Sequence, residues 1–83
     1  MTPDQVVDTF GQRSTTLMVK ILNDAESGLV LVEGQANDLR FLGQLLLAIA
    51  EGGDPGFHLD PKGAGAAHFD PTSPLGLYVH RTD

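Results

Sequence analysis

Ala36-Asn37-Asp38-Leu39-Arg40-Phe41-Leu42-Gly43-Gln44-Leu45-Leu46-Leu47-Ala48-Ile49-Ala50-Glu51 is the stretch on which the fold turns. Leu39, Leu42, Leu45, Leu46 and Ile49 recur at helical spacing, so the pattern predicts one long helix over 36–51 with a broad buried stripe. Asn37 and Asp38 put polar and negative groups at its N-terminal end, where the helix dipole favours them. Gly43 costs about 1 kcal/mol relative to alanine in a helix interior, and marks a close approach to a sheet. The breaker cluster Gly52-Gly53-Asp54-Pro55-Gly56 ends the helix.

On the N-terminal side, Thr15 to Leu22 alternates as a strand does. Thr15, Leu17, Val19 and Ile21 fall on one face, and Thr16, Met18, Lys20 and Leu22 on the other. A polar turn, Asn23 to Gly28, leads to a second β-rich run, Leu29 to Glu33, so residues 15–34 form an antiparallel hairpin. Both of its faces are largely apolar, which is unusual for a sheet with one face in water. Before it, Thr2-Pro3-Asp4-Gln5 has the form of a helix start. Thr2 caps, Pro3 suits the first turn and Gln5 reaches back. Val6, Val7 and Phe10 make its apolar stripe and Gly11 its stop, within an arm of residues 1–14.

On the C-terminal side, Phe57 to Asp60 reads as a short strand that Pro61 terminates. Lys62 to Ala67 is a small, glycine-rich loop without core anchors. Leu75 to Arg81 alternates again, with Leu75, Leu77 and Val79 inward and Tyr78 and His80 outward. Residues 57–81 therefore hold two strands joined by a Gly/Pro-rich loop. The expectation is a single α+β domain over 1–83: a four-stranded, mainly antiparallel sheet with one long helix on one face (ββαββ) and a short N-terminal helix. Strand order stays open, because a hairpin either side of one helix permits more than one arrangement.

Composition narrows the function. The 83 residues carry eleven acidic and five basic side chains, a net charge of −6, and no cysteine. A chain of this size buries only about 60% of its unfolded surface, and no disulfide or thiolate–metal site supplements that core. The charge argues against nucleic acid and anionic lipid, which need Lys and Arg to replace counterions. It suits solubility, or a basic protein partner. The start lacks the pattern of a secretory signal and the apolar run Leu45 to Ala50 is far too short to span a bilayer. A cytoplasmic protein is the default expectation.

The chemically suggestive feature is a doubled tetrapeptide, His58-Leu59-Asp60-Pro61 and His68-Phe69-Asp70-Pro71. His and Asp two apart in extended chain project to one face. His58, Asp60, His68 and Asp70, with His80 in reserve, are the candidate ligand set of a small metal-binding protein or metal-dependent enzyme. The competing reading is structural: Asp before Pro accepts turn hydrogen bonds in many metal-free proteins, and it carries more weight. No serine sits in a nucleophile elbow, and the glycine stretches lack the Lys-Ser/Thr of a phosphate loop. No cofactor is implied. A further candidate surface is apolar: Met18, Leu22, Val30, Val32 and Tyr78 share the sheet side away from the long helix and predict a homodimer or a docking face.

Leu31-Val32-Glu33-Gly34-Gln35-Ala36-Asn37-Asp38-Leu39, the Gly52-Gly53 break, Phe57-His58-Leu59-Asp60-Pro61 and the closing strand Leu75 to Arg81 together resemble a family of small bacterial proteins. Its members are predicted immunity proteins of polymorphic toxin systems. The resemblance covers about residues 15–81; the second motif at His68 and the N-terminal helix lie outside it. It implies a ββαββ unit that binds and neutralises a toxin without catalysis. An acidic surface near the loops after the helix then meets the partner, with His58, Asp60, Asp54 and Asp70 as the contact residues. A non-enzymatic, immunity-like binding module is the expectation taken forward.

Overall fold

The computed structural model describes residues 2–10, 16–22, 28–52, 55–63 and 65–83, apart from the Phe10 side chain. Helix α1 (Pro3–Phe10) is followed by strands β1 (Met18–Ile21) and β2 (Val30–Glu33), helix α2 (Ala36–Ala50), strand β3 (Gly56–Leu59), a 3-10 turn (Ala66–His68) and strand β4 (Leu77–His80). The architecture is α+β. Among the described residues, no helix is long and apolar enough to cross a membrane.

The four strands do not form one sheet. They pair as two antiparallel ribbons, β1 with β2 and β3 with β4. The reason lies in residues 68–75, which run beside the free edge of β1 before entering β4. Leu17 N–H donates to the His68 carbonyl (3.2 Å) and Asp70 N–H to that of Leu17 (2.8 Å), one parallel bridge. Pro71 and Pro74 have no N–H to extend the ladder. Ser73 fills the gap: its buried hydroxyl accepts from Val19 N–H (3.0 Å) and lies 3.0 Å from the Leu75 carbonyl it can donate to. Leu75 N–H then reaches the Val19 carbonyl (3.2 Å). A proline-broken segment thus occupies the place of a strand and keeps the ribbons apart.

At the N-terminus, Thr2 and Gln5 form the expected reciprocal cap: Thr2 N–H donates to Gln5 Oε1 (2.9 Å) and Gln5 N–H to Thr2 Oγ1 (3.2 Å). Fully buried Val6 turns α1 into the core, and α1 packs on α2. A two-turn helix is marginal alone, and this docking holds it. Gly11 lies outside the described residues.

The buried stripe of α2 is not the expected one. Asp38, Phe41, Leu45, Ala48 and Ile49 are buried, whereas Leu39 and Leu46 are exposed and Leu42 is only half-buried. Leucine is common on both sides of this helix, so counting leucines rotated the stripe. Phe41 and Asp38 set the true face. Gly43 is exposed, and an added Cβ there would meet nothing within 4 Å. It marks no approach to a sheet, and its helix cost is not recovered by packing.

The core joins Val6, Leu17, Val19, Phe41, Leu45, Ala48, Ile49, Leu59 and Phe69. The alternation expected of the last strand holds. Leu77 and Val79 pack against that core while Tyr78 and His80 face outward. The loop expected to lack anchors closes instead on the 3-10 turn, whose His68 is buried.

Candidate functional site

The doubled motif builds the same turn twice. Lys62 N–H donates to Asp60 Oδ1 and Thr72 N–H to Asp70 Oδ1, each at 2.8 Å. Gly63 N–H then closes on the Asp60 carbonyl (3.1 Å) and Ser73 N–H on that of Asp70 (2.9 Å). These are Asx-capped turns in which proline supplies the fixed φ. The hydroxyl of Thr72, and next its amide, hold the Asp70 carboxyl below the ordinary carboxylate range. Asp60 and Asp70 are used locally, as the structural reading of the repeat requires.

The two histidines part company. His58 lies in β3, where Leu59 points into the core, so alternation turns His58 to solvent. His68 ends the 3-10 turn and points inward at 2% exposure. Its ring stacks on Phe41 with centroids 4.1 Å apart and planes 5° from parallel. Among the described residues, no group of three or more His, Asp or Glu could hold a metal ion. His58, Asp60, His68, Asp70 and His80 therefore do not gather into the candidate ligand set.

His68 is nevertheless an unusual core residue, because its Nδ1 is buried with no hydrogen-bond partner among the described residues. Burial lowers its pKa from 6.5, and the nearby Asp38 charge opposes that shift without cancelling it. The folded state thus binds this proton less readily than the unfolded chain. The stability contributed by neutral His68 is present in full above about pH 6.5 and is lost as pH falls toward the folded-state pKa. Urea unfolding at pH 7.5 and at steps down to pH 5 should show the chain weakening over that window. His68→Phe, which keeps a ring on Phe41 but cannot titrate, should flatten the slope; an unchanged slope would contradict the assignment.

Outside the core, the β3–β4 ribbon carries a row of exposed rings. His58 stands directly opposite Tyr78, with ring centroids 6.2 Å apart and planes within 7°. Tyr78 meets His80, two residues on along β4, at 6.3 Å and 32°. Such cross-strand and same-face pairs order one another. Gly56 sits opposite His80, and a Cβ there would press on His80 Cδ2 (3.2 Å) and Tyr78 Oη (3.3 Å). Tyr78 is 70% exposed, the most of any large apolar-bodied side chain described. The opposite face of the ribbon, Phe57, Leu59, Leu77 and Val79, is turned to the core, which braces the row from behind.

Other expected contact residues scatter. Asp60 is exposed just beyond β3, Asp70 lies at the far turn, and Asp54 is outside the described residues. The five apolar residues do not share a face. Val19 pairs with Val32 and Ile21 with Val30, which puts Val30 and Val32 on the core side of their ribbon, while Met18 and Leu22 take the other side. Tyr78 belongs to the second ribbon. At the end of α2 an open cleft of about 280 Å³ is lined by Ala50, Glu51, Gly52, Arg81 and Asp83. Arg81 is already committed there, its Nη1 donating to the Ile49 carbonyl at 2.8 Å.

The meeting of Tyr78 with His58 on one side and His80 on the other escaped the sequence reading, which had Tyr78 on a dimer face and His80 as a spare ligand. Strand register is set by turns when they are short, and here the connection from β3 to β4 is long. No protein-family model, curated protein or solved structure matches the chain.

Proposed function

We propose that this chain is a non-enzymatic protein-binding module, immunity-like in its action, which neutralises a basic partner protein such as a toxin. The observation that carries this reading is the His58–Tyr78–His80 row, an exposed set of mutually ordered rings on a ribbon whose back is packed. Tyrosine provides large contact area with little rotamer entropy to lose, and aromatic residues dominate the energetic centres of interfaces. Asp60 lies two residues beyond His58 in the chain and is exposed. The net charge of −6 adds long-range attraction toward a basic surface.

The test is growth rescue. The chain is co-expressed with candidate basic polymorphic-toxin domains, and wild type is compared with Tyr78→Ala and His58→Ala. Both side chains are exposed and lose only a cross-strand ring contact, so each variant should keep its unfolding free energy within about 1 kcal/mol. Tyr78→Ala should abolish rescue and His58→Ala should weaken it. Full rescue by a folded Tyr78→Ala protein would remove the ring row from the function.

A further inference from the structure

The β1–β2 ribbon is open on one side. Leu22 N–H donates to the Leu29 carbonyl at 2.9 Å, so these two form a hydrogen-bonded pair. Antiparallel pairs alternate, which makes Lys20–Leu31 and Met18–Glu33 hydrogen-bonded and Ile21–Val30 and Val19–Val32 not. Val30 and Val32 therefore aim their N–H and C=O groups away from β1. Among the described residues nothing meets them, whereas the outer edge of β1 is taken by residues 68–75. The strand Val30-Leu31-Val32-Glu33 has no proline, no lysine and no bulge, the usual protections of an exposed edge.

The side chains around this edge are apolar and wet. Ile21 is 63%, Val30 57% and Leu29 53% exposed. The whole chain exposes 5400 Å², against roughly 4,800 Å² for a folded monomer of this mass. Its radius of gyration of 12.9 Å exceeds the roughly 11.8 Å expected for its length. That excess, about 600 Å² summed over the whole chain, is of the same order as the roughly 800 Å² that each partner contributes to a standard interface.

We propose that a second copy of this chain occupies the edge, β2 against β2 in antiparallel register about a two-fold axis through Leu31. In that register Val30 of each copy faces Val32 of the other, and their outward backbone groups exchange four hydrogen bonds. Leu31 packs beside its symmetry mate, and Val30 beside Val32. The two Glu33 carboxylates stand four residues apart along the strands, about 13 Å, beyond the screening length of about 8 Å at physiological salt. The strip itself, Leu29 to Val32, carries no charge. A single partner surface would need a complementary strand of its own; a second copy brings one by symmetry. The product is a continuous four-stranded sheet, β1-β2-β2-β1, across the dimer.

Sedimentation equilibrium of the full chain from 1 to 100 µM tests this. Wild type should sediment as a dimer, more completely at 0.5 M than at 0.05 M NaCl because salt screens the repulsion between two chains of charge −6. Val30→Pro removes an outward N–H that β1 does not use, and so two of the four intermolecular bonds. It should weaken the dimer roughly 100-fold, and Val30→Lys should do likewise; both should keep the wild-type circular dichroism spectrum. Tyr78→Ala should leave the dimer intact, which separates this interface from the proposed ring-row surface. A monomeric wild type at 100 µM, or a dimer indifferent to both Val30 variants, would overturn the assignment.

Discussion

Replacing Asp38 by alanine should cost about 3 kcal/mol, on the scale of truncating a fully buried core side chain. Asp38 is 1% exposed and stands in the first turn of α2. Its Oδ2 accepts from Gln35 N–H at 2.7 Å and from Thr16 Oγ1 at 3.1 Å, and Thr16 N–H reaches Oδ1 at 3.1 Å. One carboxylate thereby caps the helix, complements its dipole and fastens the start of β1 to it. Removal strands partly buried donors from two segments at once. An 83-residue domain has a total stability of about 4–12 kcal/mol, so the variant should be largely unfolded at 37 °C or melt well below wild type. Asp38→Asn, which keeps one acceptor oxygen, should fall between the two. Urea denaturation followed by circular dichroism measures both; a loss under 1 kcal/mol for Asp38→Ala would show that water satisfies those donors just as well. Because the Asp38 charge raises the His68 pKa, the alanine variant should also extend its acid sensitivity to lower pH.

Gly76→Ala should cost about 3 kcal/mol by a different route, steric overlap with backbone. A Cβ at this position would fall on the Leu59 carbonyl oxygen and lie 3.1 Å from Asp60 Cα. Neither atom is the end of a flexible side chain, so the strands themselves must move apart. Leu59 pairs with Leu77 at that end of the ribbon, and Leu59 is part of the core. The ring row rides on the same two strands. Loss of rescue activity should therefore accompany loss of stability in Gly76→Ala, in contrast to Tyr78→Ala, where activity alone should fall. Thermal melts of both variants beside the rescue assay check the contrast. A Gly76→Ala chain as stable as wild type would show that β4 can shift away at little cost.

Local signals in the chain were read correctly where they rest on chemistry within a few residues. The Thr2–Gln5 cap, the inward Leu77 and Val79 and outward Tyr78 and His80, and the turn-forming role of each Asp-Pro step all follow from short-range rules. The antiparallel hairpin over 15–34 also holds; what failed were the inferences that placed elements farther apart in the chain against one another. The buried face of α2 depends on α1 and on the residue 68–75 segment, so leucine count misplaced it by including Leu39 and Leu46. The single sheet failed because prolines 71 and 74 interrupt the ladder that would have joined β1 to the second ribbon, and the Ser73 hydroxyl accepts from Val19 N–H in place of a backbone carbonyl. The burial of Asp38 had no signal beyond its place near a helix start, where an exposed carboxylate is equally at home.

The candidate site shows the same division. The His-x-Asp-Pro tetrapeptides at 58–61 and 68–71 dictate the same turn, because an Asp side chain and a Pro ring act on their immediate neighbours. They do not dictate identical histidines. His58 is exposed because its strand buries the next residue, and His68 is stacked on Phe41 because a three-residue helical turn rotates it inward. Secondary structure, turn chemistry and charge were determined by the amino-acid order alone, through interactions that reach no farther than a turn or a Debye length. Which faces are buried, which edge is left open and which rings stand together were decided by packing between segments such as those 22 and 54 residues apart, where apolar contact is non-directional and leaves no local mark in the chain.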